Sequence, residues 1–238
     1  MAEPRGLAES FVRDLRGALG ERLQAAALFG SAARGEWLEG ISDVNVLVLL
    51  DRIDPAVLER AAPTARTAMA RGVTPLLMEV DEWRRAADVF TIELADMKDA
   101  SVPLFGDDPA AVLPVHPQIL RLQAERELRA KLLHLHGALL VSADDRKRLG
   151  QILVHALPSF TAYLRAALRL ADRPVPRGSR EVIEAASALT DADGTPFIRV
   201  LDARNAGGKL ELRLTDPLVD GFNQAAARLS AYIDAFGR

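Results

Sequence analysis

The chain has 238 residues, with 30 basic and 33 acidic side chains for a formal net charge of −3; 49% of residues are hydrophobic and 26% charged. This is globular composition and argues against disorder, and the length holds one large domain or two of about 100–130 residues. No apolar stretch approaches the roughly 20 residues that span a bilayer, and zero cysteines exclude a disulfide framework, thiolate metal sites and cysteine nucleophiles.

The opening MAEPRGLAES has no basic stretch followed by an apolar one, so no secretory signal is expected and the cytoplasm is the expected compartment. Leu7, Phe11, Leu15, Ala18 and Leu19 recur at helical spacing, and Gly20 ends the run. Leu23 to Phe29 reads as a short apolar strand stopping at Gly30-Ser31. Asp43 to Leu50 (DVNVLVLL) is the clearest strand, and its Val/Leu content implies burial on both faces. Asp54-Pro55 reads as the N-cap and first residue of a helix running to about Arg71, with Gly72 as its stop. Val73 to Val80 looks like a third strand, and Asp81-Glu82 begins a short helix. Phe90 to Lys98 then leads into Val102–Phe105 and the turn from Gly106 to Pro109.

From about Val115 the pattern is helical, with helices expected near 117–141, 144–171, 178–190, 196–206 and 216–236. Pro158 should kink or split the second of these. The expected architecture is α+β: a mixed-sheet domain over 1–113, a Pro-rich junction near Val112–Pro117, and an all-α helical bundle over 114–238. Charge divides unevenly, with 12 basic and 19 acidic residues over 1–110 and 18 and 14 over 111–238. That cationic excess is small and spread over several helices, and only 5% of residues are aromatic. No long nucleic acid and no membrane are expected as partners.

The informative stretch is Leu28 to Leu50, LFGSAARGEWLEGISDVNVLVLL. Gly30 would let the backbone approach a phosphate closely, and Ser31 offers a hydroxyl and an amide. Arg34, one turn on, could reach the same anion. Asp43 and Asn45, at i and i+2 on one strand, share a sheet face, a spacing that suits two oxygen ligands on a Mg²⁺ beside a triphosphate.

These residues resemble the nucleotidyltransferase superfamily related to DNA polymerase β, especially its aminoglycoside and minimal branches. The family pattern of Gly, Ser or Gly, a loop, then Asp-x-Asp is matched by Gly30, Ser31 and Asp43. A helical domain also follows the α/β domain in the kanamycin nucleotidyltransferase type. The resemblance implies transfer of a nucleotide monophosphate from an NTP, with Mg²⁺, to a small-molecule acceptor in the interdomain cleft, and a homodimer. It implies Gly30 and Ser31 on the triphosphate and Asp43 on the metal. Asn45 stands where the family has its second Asp. For the family's third acid, the third strand offers only Glu79, with Glu93 and Asp96 as fallbacks. The incomplete acid set opens an alternative: a non-catalytic homologue that binds a ligand or a protein partner.

Other residues are expected to be structural. His134 and His136, at i and i+2 on a helix, point about 200° apart, which argues against a metal pair. Arg129-x4-His134 resembles the motif of the HEPN ribonuclease domains, yet i and i+5 lie about 140° apart on a continuous helix. His155 and His116 read as core or surface residues. Glu125 and Glu127 are candidates for the general base that the family draws from its helical domain.

Overall fold

The computed structural model describes residues 3–111 and 113–237. Val112, at the head of the expected junction, and the first two residues of MAEPRGLAES lie outside the described residues. The chain divides into two units, Met1–Val115 and His116–Arg238.

The first unit runs α1 (Pro4–Leu19), β1 (Leu23–Phe29), α2 (Ser31–Arg34), β2 (Val44–Leu50), α3 (Pro55–Met69), β3 (Val73–Glu79), α4 (Val80–Arg85), α5 (Thr91–Asp99) and β4 (Val102–Phe105). Its sheet has the order β3-β2-β1-β4. β1 is antiparallel to β2 and β4, while β2 and β3 are parallel, so the sheet is mixed. Strand β2 is central because its side chains are apolar on both faces. Val44, Val46, Val48 and Leu50 pack with Leu7, Phe11 and Leu15 of α1 and Val57 and Ala61 of α3. Leu47 and Leu49 pack on the opposite face with Met78, Trp83, Leu94 and Met97. Trp83 also donates its indole N–H to the Pro109 carbonyl at 2.9 Å, which ties α4 to the turn beyond β4.

Helix α3 begins where Pro55 fixes the first helical φ and Asp54 accepts the Val57 N–H at 2.9 Å. That hydrogen bond, with help from Arg52 and Arg22, lowers the Asp54 carboxyl below its ordinary value, against an opposing effect of desolvation. Since the folded-state value is the lower one, the cap stabilises the fold above the ordinary aspartate range. The contribution is lost as pH falls through the lowered value. Asp54→Asn caps without a charge, so it is expected to give a shallower acid-unfolding profile when helicity is followed by circular dichroism along an acid titration.

The second unit consists of α6 (Pro117–Val141), α7 (Arg146–Leu170), α8 (Ser179–Thr190), α9 (Thr195–Asn205) and α10 (Pro217–Ala235). Asp145 caps α7 by accepting the Arg148 N–H, and Asp216 caps α10 by accepting the Leu218 N–H, both at 2.9 Å. The core is centred on Phe160, Phe197 and Phe222, supplied by α7, α9 and α10 and all among the largest fully buried side chains. Pro158 does not split α7, which runs unbroken from Arg146 to Leu170. Proline removes one hydrogen bond from the ladder, but Leu153, Leu157, Phe160 and Leu164 bury the same face on either side of it. Among the described residues no helix is long and apolar enough to cross a membrane.

Candidate active site

The strand pairing of β1 with β2 ends on Phe29 opposite Asn45. Gly30 and Ser31, which follow β1, therefore leave the sheet at the same end at which Asp43 leads into β2. Gly30 has φ 75° and ψ −150°, a backbone conformation that side chains disfavour. A Cβ placed there would also lie 3.0 Å from Asn45 Nδ2. Gly30→Ala should therefore strain the turn by roughly 1–3 kcal/mol and push the Asn45 amide aside. Denaturant unfolding should register the first effect, and nucleotide titration the second.

The loop that carries Asp43 is closed on itself. Ser42 donates its N–H to the Leu38 carbonyl at 2.8 Å, and Leu38 donates its N–H to Ser42 Oγ at 3.2 Å. Val44 donates to the Gly72 carbonyl at 2.8 Å, which fixes where β2 begins against β3. Asp43 is exposed and Asn45 half-buried. Among the described residues, Ser31, Asp43 and Asn45 make no side-chain hydrogen bond or ion pair. Three polar side chains thus share one sheet end with their donors and acceptors unspent.

Asp43 borders a cavity of about 360 Å³ whose wall includes Trp37, Glu39, Ser42, Arg71 and Gly72. The Trp37 indole N–H is buried there without a partner in the described chain. Sequence reasoning did not single out Trp37 or Arg71. No motif marks either; Arg71 arrives beside Asp43 only because α3 ends next to the β2–β3 pairing.

Arg34 turns toward α5 and pairs with Asp96 at 3.5 Å, both side chains being largely buried, at 12% and 15% exposure. Its Nε is buried without a hydrogen-bond partner. The pair fastens α5 to α2, so Arg34 reaches a phosphate only by sharing its guanidinium with Asp96. Asp96, one of the fallback acids, is thereby joined to the helix that follows the Gly30-Ser31 turn.

Glu79 is not brought to this site. The parallel register sets Thr74 opposite Asn45 and Glu79 opposite Leu50, about 16 Å further along the strand. Its carboxylate accepts the Ile53 N–H at 2.7 Å instead. The expected metal role for Glu79 is therefore corrected: it is a ligand of the backbone at the opposite end of the sheet. Among the described residues no group of three or more His, Asp or Glu side chains is placed to hold a metal ion.

In the second unit, Glu125 lies between Arg121 at 2.9 Å and Arg129 at 3.1 Å, and Glu127 accepts from Gln123 at 2.8 Å. Arg129 also reaches Asp234 at 3.3 Å. It is thus engaged away from His134, and α6 is continuous between the two residues.

Residues 12–115 match the family model described as the nucleotidyltransferase domain. Those residues, in the first unit, are a nucleotidyltransferase domain. No curated protein matches it. Among solved structures it is similar to the spectinomycin adenyltransferase AAD(9) from Enterococcus faecialis, crystallised with ATP and spectinomycin. That likeness has 15% identity and a TM-score of 0.56, and covers 92% of this chain and 97% of that one. A toxin-antitoxin structure with AMP-PNP (20% identity, TM-score 0.30) and one of a toxin-antitoxin MntA-HpeT mutant (19%, 0.29) each cover 58% of this chain and 96% of theirs. The spectinomycin adenyltransferase likeness concerns the fold: a nucleotidyltransferase mixed sheet followed by helices.

Proposed function

We propose that this protein binds a nucleoside triphosphate at the β1–α2 turn and transfers its nucleotide monophosphate to a hydroxyl of a small-molecule acceptor. The observation that carries this reading is that Ser31, Asp43 and Asn45, all with unspent hydrogen-bonding groups, lie at one end of the β1–β2 pairing, with Asn45 against the side-chain-free Gly30. Gly30 admits a phosphate against the backbone, and Ser31 offers it a hydroxyl. Asp43, with the Asn45 carbonyl oxygen, would hold Mg²⁺, which when bound supplies neutralisation of charge on the phosphoryl oxygens. One carboxylate and one amide oxygen fit a single Mg²⁺, since that ion commonly takes one or two carboxylates and completes its shell with phosphate oxygens and waters. They do not fit two closely spaced cations, whose mutual repulsion needs several anionic ligands. The spectinomycin adenyltransferase structure holds ATP and spectinomycin, which supports a nucleotide and a small molecule as the ligand classes here.

A second reading, nucleotide binding without transfer, is favoured by the way the remaining acids are used. Glu79 is bonded to Ile53 and Asp96 to Arg34, so neither supplies a free third carboxylate. Calorimetric titration with ATP, GTP, CTP and UTP, with Mg²⁺ and with a chelator, separates the readings. Mg²⁺-dependent heat with slow pyrophosphate release supports transfer, and heat without any release supports the second reading. No heat with any NTP removes both.

A further inference from the structure

We propose that the groove between α6 and α7 in the helical unit is a binding site for a phosphomonoester of a small organic molecule. The groove is a cavity of about 260 Å³. Lys131 and His134 enter it from α6, and Arg148 and His155 from α7. On each helix the lining positions recur three and four residues apart, so each helix turns a single stripe into the groove. No acidic residue lines it. Among the described residues, none of the four basic side chains makes a side-chain hydrogen bond or ion pair.

Three other cations of the same two helices are spent on acids. Arg121 and Arg129 of α6 are neutralised by Glu125 and Asp234, and Lys147 of α7 reaches Glu211 at 3.9 Å. The basic groups in the groove are left without such partners. An ammonium, a guanidinium and two imidazoles supply more donors and more charge than a singly charged carboxylate can use. The dianion and three terminal oxygens of a phosphomonoester match them. Leu135 and Ile152 add an apolar floor, and the cavity exceeds the volume of a bare phosphate, so there is room for an organic body. Two imidazoles alone would suit a transition metal, but the adjacent Lys131 and Arg148 repel a cation. His136 points away from His134 on α6; the packing of α7 on α6 brings His155 into the groove that His134 lines.

The chain has four histidines, so their imidazole C–H signals can be assigned by single substitutions in the proton NMR spectrum of the full chain. Titration with phenyl phosphate should shift His134 and His155 saturably and leave His116 and His136 in place. Inorganic phosphate should do the same more weakly, and benzoate at equal ionic strength should shift neither pair. The double variant Lys131→Ala/Arg148→Ala should weaken phenyl phosphate binding about tenfold or more. Asp43→Ala should leave it unchanged, which separates this site from the nucleotide reading. Uniform shifts of all four histidines, an equal response to benzoate, or undiminished binding by the double variant would overturn the site. Inorganic phosphate binding as tightly as phenyl phosphate would overturn the organic part of the assignment.

Discussion

Phe222→Ala should lower the stability of the protein by about 3–5 kcal/mol. The Phe222 ring is fully buried, 4.7 Å from the Phe197 ring centroid and 5.2 Å from that of Phe160, edge-on to both. Phe160 and Phe197 stack at 5.8 Å, so three helices, α7, α9 and α10, meet on this trio. Truncation removes the transfer energy of the ring and leaves a cavity that helix backbones cannot close by side-chain rotation alone. Native domains are stable by only about 5–15 kcal/mol, so the loss is a large share of the total. Guanidinium unfolding followed by far-UV circular dichroism gives the number, and Phe222→Leu should lose less because it keeps part of the volume. A loss under about 1 kcal/mol for the alanine variant would mean that the rings are not the packing centre their geometry implies.

The elements were legible where local chemistry decides them. Val44–Leu50 is a strand because its Val/Leu run is apolar on both faces, and α3 starts at Pro55 because Asp54 caps it. The motif Gly30-Ser31…Asp43 could be found because its residues lie close together in sequence, and the strand register places its two halves at one end of the sheet. What could not be read depends on contacts between distant residues. Glu79 lies near a strand end in sequence, but only the parallel β2–β3 register sends it away from Asn45. Arg34 and Asp96 are separated by 62 positions, and nothing in either segment names the other. Pro158 leaves α7 unbroken because core contacts on both sides of it offset the local cost of one lost hydrogen bond, and those contacts are not written in the local sequence. The same limit hid His155, whose meaning appears only when α7 lies against α6.

Asp43→Ala should remove the Mg²⁺-dependent part of nucleotide affinity, a loss of about 100-fold or more. Asp43 is exposed and makes no side-chain bond to the described chain, so its removal should leave stability within about 0.5 kcal/mol, and lost binding cannot be attributed to unfolding. The reverse change is Asn45→Asp. The carboxylate has the shape of the amide it replaces, so it fits beside Gly30, where the Asn45 amide already stands close. It would, however, set a second negative charge two residues from Asp43 with no cationic side chain bonded to either. A divalent cation relieves that repulsion, and binding to the folded state alone raises stability by mass action. Thermal unfolding of Asn45→Asp should therefore rise more steeply with Mg²⁺ than that of the parent. Transfer chemistry adds a second readout. If the parent releases pyrophosphate slowly, Asn45→Asp should accelerate it by about 100-fold, the scale of one well-placed electrostatic group, and Asp43→Ala should abolish it. If the parent is silent, the same substitution either leaves it silent or creates turnover. A parent that turns over NTP with Mg²⁺ and loses that turnover in Asp43→Ala excludes the binding-only reading. An Asn45→Asp variant with no added response to Mg²⁺ would show that residues 43 and 45 do not share a cation, and the single-metal site would fall with it.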